Sequence, residues 1–304
     1  MRYRPFGRSG VVVSAISLCL VDNPKRPRDA AGWARMIHAA LEVGINCFEI
    51  SEITPALMQG LPSAFGDLER RLYFVSARAD TALLGEGQAR QVAHEVRAFI
   101  EETGLEYLDL LLAGEPQGSP TPGEVAAAAA PLQVLTESRL VKLLGVRGDG
   151  EGLDASIATN AFDAIATPYS LASGWRERHR IKEASRRDLA VIGLDPHPEE
   201  MVEAAKGPKP KRSSIWRRAS DPLSGSGSYQ FLNTTPGWSA EEICLSYALT
   251  EPALSTVQVE SRDEAHLQTL SEIPERDMPA GVAAQIEMAR FAPPPPTGDR
   301  RRSA

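Results

Sequence analysis

Cysteine is scarce in this 304-residue chain, and the three present, Cys19, Cys47 and Cys244, lie far apart in apolar surroundings. That excludes a disulfide scaffold and leaves buried reduced thiols as the expectation, with a nucleophilic Cys47 as the alternative. The five histidines, His38, His94, His179, His197 and His266, have neither zinc-ligand spacing nor a cysteine partner, so no metal is assigned. No apolar run reaches the roughly 18 residues of a membrane-crossing helix. Met1-Arg2-Tyr3-Arg4-Pro5-Phe6-Gly7 lacks the apolar core of a secretory signal, and a cytoplasmic location is expected. A Gly-rich dinucleotide fingerprint is also missing: the first strand candidate runs into Ser17-Leu18-Cys19-Leu20-Val21-Asp22.

What is present is a hydrophobic fraction of 42% and a charged fraction of 24%, enough apolar residues for one large core. The net charge of -7 argues against broad nucleic-acid binding while allowing a local basic contact surface. Apolar runs predict strands over Ala15 to Leu20, Ile45 to Glu49, Leu72 to Ala77, Leu108 to Leu112, Leu143 to Val146, Ala164 to Thr167, Ala190 to Leu194 and Thr256 to Val259. Helical patterns alternate with them: Ala30 to Val43, Pro55 to Arg71, Gln88 to Glu102, Pro122 to Ser138, Leu153 to Thr159, Trp175 to Arg186, Glu199 to Lys206 with Ala240 to Glu251, and Arg262 to Leu270. Eight such units predict an α/β chain closed into a (β/α)8 TIM barrel, with an open doubly wound sheet as the alternative.

Gly7-Arg8-Ser9-Gly10 adds an N-terminal β-hairpin. Two stretches break the rhythm. Lys206 to Trp238, carrying Lys209, Lys211, Arg212, Arg217 and Arg218 before a Gly/Ser run, reads as a long loop. After a last helix around Pro279 to Arg290, residues 292–304 contain four consecutive prolines and Arg300-Arg301-Arg302 and read as a disordered tail. The domain assignment is a barrel over 1–291 and a tail over 292–304.

The segment Gly44-Ile45-Asn46-Cys47-Phe48-Glu49-Ile50-Ser51-Glu52-Ile53-Thr54-Pro55 delivers polar groups at the far end of a buried strand, where a parallel barrel keeps its chemistry. It resembles the aldo-keto reductase segment Gly-Ile-Asn-x-Phe-Asp-Thr-Ala-x-x-Tyr-Gly. The opening hairpin, Tyr107-Leu108-Asp109-Leu110, Gly145-Val146, Pro168-Tyr169-Ser170-Leu171 and Leu245 to Leu267 extend the resemblance over nearly the whole chain. In that family a hairpin plugs the barrel, and an Asp, a Tyr, a Lys and a His are catalytic. The resemblance places Glu49, Thr54, Arg78 and Gly114 at those four positions, so none of the four residue types is kept. A Thr hydroxyl is far too weak an acid to replace a phenol whose pKa of about 10 a neighbouring cation lowers. Glu49 and Arg78, if they meet, are expected to form an ion pair that holds the barrel mouth.

The cofactor positions implied by the resemblance are changed as well. Arg147-Gly148 stands for the Ser-Asn that bonds the nicotinamide amide, Ala166 for a Gln and Leu194 for the stacking aromatic ring. Arg262, in Val259-Glu260-Ser261-Arg262, matches the Arg that grips the NADP ribose phosphate, and Glu260 beside it would repel that phosphate while accepting a bond from a ribose hydroxyl. A weak preference for NAD(H) is therefore expected if a dinucleotide binds at all. Glu52, Glu115, Asp149, Asp195 and His197 also follow strand ends and offer the alternative of new acid–base or metal-assisted chemistry. The leading expectation is a non-catalytic aldo-keto reductase homologue acting through protein contacts. By resemblance to oxidoreductase-like bacterial regulators of cell division, its partners would be division-apparatus proteins, a tubulin-like GTPase or a cell-cycle kinase. A divergent NAD(P)H-dependent oxidoreductase is the alternative.

Overall fold

What separates a barrel from an open parallel sheet covered by helices is whether the last strand pairs with the first. In the computed structural model, which describes residues 1–82, 86–197, 229, 231–279 and 281–291, this happens. A hairpin of β1 (Tyr3–Pro5) and β2 (Val12–Ser14) precedes β3 (Ile16–Leu20), α1 (Ala30–Glu42), β4 (Cys47–Ile50), α2 (Pro55–Phe65), β5 (Phe74–Ala82), α3 (Glu86–Thr103), β6 (Leu108–Gly114) and α4 (Pro122–Ala129). Then follow α5 (Gln133–Glu137), β7 (Val141–Arg147), α6 (Glu151–Ile157), β8 (Ala164–Pro168), α7 (Trp175–Arg186) and β9 (Ala190–Leu194). The chain ends in α8 (Phe231–Thr234), α9 (Ala240–Leu249), β10 (Thr256–Val259), α10 (Glu264–Glu272) and α11 (Val282–Phe291). Strands β3 to β10 form a closed eight-stranded barrel, every neighbour parallel, with β10 pairing β3 through Val257↔Ile16, Gln258↔Ser17 and Val259↔Leu18.

Side chains alternate across each strand, so one set packs outward on the helices and the other fills the barrel. Phe48, Ile50, Val75 and Leu111 join the outer core with Trp33, Ile37 and Leu61, whereas Cys47, Phe74, Leu110, Leu112, Ala164, Ala166, Ala190 and Ile192 form the inner one. Phe6 and Val13 of the hairpin belong to this inner cluster, and the Phe6 ring lies 4.7 Å from that of Phe74. The hairpin therefore seals the barrel floor. Asn46 fixes it there: its Oδ1 accepts from the Ser14 N–H at 2.7 Å and its Nδ2 donates to Val12 O at 3.2 Å.

The structure corrects several sequence boundaries. The helix expected over Pro55 to Arg71 stops at Phe65 with Gly66 as its C-cap, and Arg70–Leu72 is a separate 3-10 turn. The helix expected over Pro122 to Ser138 is split by a 3-10 turn at Ala130–Leu132, where Pro131 has no N–H to continue the α-helical ladder. Strand β4 starts two residues later than expected, because Asn46 is used in holding the hairpin, and β5 runs on to Ala82. The end of the expected loop at Lys206 to Trp238 is not loop: α8 buries Phe231 and Leu232 against Leu171, Ile243 and Cys244. The helix at Glu199 to Lys206, the basic run up to Arg218 and the tail over 292–304 lie outside the described residues. No helix among the described residues is long and apolar enough to cross a membrane.

Gly7 tests the seal. It has φ +54°, and a Cβ there would come within 2.5 Å of Ala190 N and 2.7 Å of Asp188 O, whereas Gly10, at φ +75°, would meet nothing. Gly10→Ala is expected to cost about 1 kcal/mol of left-handed strain. Gly7→Ala adds overpacking of the floor, and the sum is expected at about 2–4 kcal/mol. Denaturant midpoints measure both; equal losses would show that the hairpin does not seat against β9.

Candidate functional site

The charged side chains on the inward faces of β4 and β5 lie toward their C-terminal ends, while β3 and β10 add the inward polar residues Ser17, Thr256 and Gln258. Counting in twos from Cys47 and Phe74 places Glu49, Ser76 and Arg78 inside the barrel. Glu49 is 2% exposed, and its Oε1 is paired with Arg78 Nε and also accepts from Ser51 Oγ at 3.1 Å. Arg78 Nη2 donates to Gln258 Oε1 at 3.3 Å, and Ser51 Oγ lies 2.8 Å from Cys19 Sγ. The expected Glu49–Arg78 pair is thus formed, and it is part of a chain that joins four strands of the mouth. Glu49 Oε2 and Gln258 Nε2 have no partner among the described residues.

Thr54 has a different task. Its Oγ1 accepts from Leu57 N at 3.2 Å and caps α2, a role for a short polar side chain that a Tyr, with its hydroxyl at the far end of the ring, could not take. Gly114 ends β6 opposite Arg147. Of the other mouth groups, Glu115 is not free for chemistry. Its carboxylate accepts from the backbone N–H groups of Asp149, Gly150 and Leu153 at 2.8–3.2 Å and so serves the N-terminus of α6. Glu52 points to solvent.

Asp195 and His197 do come together, at a cavity of about 520 Å3 lined also by Glu241, Leu245, Gln258 and Glu260. Burial holds the His197 imidazole below its ordinary pKa, its buried Nε2 has no partner among the described residues, and Asp195 has a left-handed φ of 47°. A second cavity of about 440 Å3 shares Glu241 and Glu260 and adds Asp22, Arg28, Arg262 and His266. Here the Arg262 N–H donates to His266 Nδ1 at 3.3 Å. The proton therefore sits on Nε2, which faces Glu241 Oε2 at 3.0 Å. Arg28 Nη2 donates to the backbone oxygens of Ser261 and Arg262, both at 2.8 Å.

Sequence reading missed Gln258, Glu241, His266 and Arg28. Only Gln258 carried a signal, as the polar residue in phase with Thr256 on an otherwise apolar strand.

The chain follows the course of a solved protein, "aldo-keto reductase AKR11C1 from Bacillus halodurans (holo form)", over 95% of this chain and 96% of that one, with a TM-score of 0.70 and 15% sequence identity. The fold is that of the aldo-keto reductases. No family model and no curated protein matches the sequence.

A nicotinamide in the pose expected from the sequence resemblance does not suit the residues present. Ala166 and Leu194 are buried in the apolar inner cluster and offer neither an amide partner nor an aromatic ring. A Cβ at Gly148 would overlap Glu115, and Arg147 supplies donors but no acceptor for the carboxamide NH2.

All three cysteines are free and buried. Burial pushes the Cys19 and Cys244 thiols up to about 12 and raises Cys47 well above its ordinary value, so a nucleophilic Cys47 is not supported.

Two outcomes are expected. In the native protein at pH 8, a disulfide reagent should modify none of the three until denaturant is added. Because the folded pKa of Cys19 and Cys244 lies above the unfolded value near 9, the native state keeps protons that the unfolded chain loses. Stability is therefore undiminished below about pH 9 and falls as pH rises toward about 12, read from denaturant midpoints.

Glu49→Ala strands the Arg78 cation. Breaking a fully buried pair costs about 3–5 kcal/mol, and with Arg78 21% exposed a loss of about 2 kcal/mol is expected. A loss near zero in thermal unfolding would mean that the pair does not hold the mouth.

Proposed function

We propose that the protein is a non-catalytic aldo-keto reductase homologue that works as a regulator through protein contacts. The observation that carries this reading is the Glu49–Arg78 pair. At the place where the fold's carbonyl chemistry needs a proton donor tuned by a cation, carboxylate and guanidinium are closed on each other. Guanidinium does not give up its proton near neutral pH, and Thr54 is engaged in capping, so neither replaces the phenol. The loss of all four catalytic residue types, shared with oxidoreductase-like bacterial regulators of cell division, motivates the narrower proposal of a place in cell-cycle control, with a tubulin-like division GTPase or a cell-cycle kinase as partner.

Dinucleotide binding, on this reading, is confined to the end of the site around Arg262 and Glu260. Glu241, Glu260 and Asp22 line that cavity with Arg262 and Arg28, a balance that suits ribose hydroxyls and opposes an added 2'-phosphate. Titration by intrinsic fluorescence should find NAD(H) bound weakly and NADP(H) more weakly still. Glu260→Ala should narrow the difference; equal or tighter NADP(H) binding by the unaltered protein would rule the preference out.

A second reading, new chemistry in the neighbouring cavity or a divergent NAD(P)H-dependent reductase, draws support from His197 Nε2, buried without a partner among the described residues, beside the strained Asp195. The two separate in one assay. Purified protein offered NADH or NADPH with a panel of aldehydes, ketones and quinones is expected to show no turnover. Turnover lost on Glu49→Ala or Arg78→Ala would defeat the proposal.

A further inference from the structure

Helix α7 is basic in an acidic protein. It carries Arg176, Arg178, Arg180, Lys182 and Arg186 against Glu177 and Glu183, while the whole chain has a net charge of -7. Three of these cations are engaged in packing. Arg180 is 3% exposed and pairs through Nε with Asp154 Oδ1 at 2.6 Å, Arg178 Nη2 donates to Tyr247 Oη at 3.0 Å, and Arg176 reaches Asp154 at 3.3 Å.

The outward face is different. Trp175, His179, Lys182 and Arg186 are all exposed and follow one another at spacings of four, three and four, which brings them into a single stripe about 60° wide. Trp175 is 79% exposed, more than any other large apolar side chain described, and the one ring beside it is that of His179, 6.3 Å away. At the first turn of a helix this indole adds nothing to the core, yet it leaves a large apolar surface in water. Arg186 leans toward Glu183 at 3.7 Å, but that carboxylate is already held by Arg187 at 3.0 Å; no ion pair is formed by Lys182 among the described residues.

We propose that this face of α7 is a docking surface for an acidic peptide segment of a partner protein, with an apolar residue of that segment covering Trp175 and flanking carboxylates meeting Lys182 and Arg186. Tryptophan beside cations is the usual composition of an interface anchor. A nucleic acid fits less well, since tight backbone binding draws on about 6–10 phosphate contacts and this stripe offers few cations on a molecule whose net charge repels phosphate. A lipid surface fits less well too, because the stripe has one apolar member and the apolar side of α7, with Ile181 and Ala184, is buried against the barrel. The assignment stands whether or not the barrel mouth is catalytic.

The test uses the full chain and a fluorescein-labelled peptide of Asp and Glu around a central Phe-Leu, followed by anisotropy. Saturable binding is expected, weakening with salt. Trp175→Ala should weaken it about tenfold or more, and Lys182→Glu with Arg186→Glu equally, with a flatter salt dependence. Arg35→Glu on α1, an exposed charge reversal elsewhere, should leave it within about twofold. Circular dichroism checks that each variant is folded. The proposal is overturned if the peptide does not bind, if the α7 variants behave like Arg35→Glu, or if a single-stranded oligonucleotide or a phosphatidylserine vesicle binds more tightly than the peptide.

Discussion

The pairing of β10 with β3 is the constraint on which the remaining structure depends. A parallel strand with an open edge exposes a row of unpaired N–H and C=O groups, and closure removes both edges at once. Once the ladder is closed, alternation leaves no choice about direction. Every second residue of the eight strands points to a common axis, whether or not it suits an apolar interior. The lower layers are apolar apart from residues such as Thr256 and are stoppered by Phe6 and Val13 of the hairpin. The upper layer carries Ser17, Cys19, Glu49, Arg78 and Gln258, so charge is concentrated at one end of a cylinder whose other end is shut.

A charge in such a place must be paired or be used. Removing a carboxylate from water costs several kcal/mol, which an opposite charge and hydrogen bonds offset. Glu49 has Arg78 and Ser51, Arg78 has Glu49 and Gln258, and among the described residues Glu49 Oε2 and Gln258 Nε2 have no partner. The same economy governs Glu115 and Thr54, whose oxygens satisfy the first N–H groups of α6 and α2. Polar residues that follow strand ends in a sequence are candidates for chemistry, but several of them here satisfy the backbone of the next helix.

Much of the architecture was legible. The strand candidate Ala190 to Leu194 coincides with β9, because such an apolar run between helical patterns has few other ways to be buried on both sides, and Thr256 to Val259, short and β-branched, coincides with β10. Boundaries were less legible where a local device overrode periodicity: Pro131 interrupts a run of alanines that reads as continuous helix, and Asn46 leaves the strand to bind the hairpin. The Glu49–Arg78 contact was readable as a possibility only through the family resemblance, which put the two residues at paired positions. The cavity walls were not, because Glu241 and His266 are far apart in the chain and meet only after α9 and α10 pack beside β10.

By itself the sequence determined the alternation of strand and helix, the thiols as buried and the absence of a long apolar run. These follow from local period and composition, which a chain carries whatever it folds against. Only the tertiary structure decided which carboxylates are spent on helix N-termini, which proton His266 holds, that Arg178 and Arg180 are engaged while Lys182 and Trp175 face outward, and that two cavities open beside Glu260. Those outcomes depend on distances between residues remote in sequence. Hydrogen bonds and ion pairs weaken within a few tenths of an ångström to a few ångströms, and sequence spacing has no means of specifying such distances across a closed barrel.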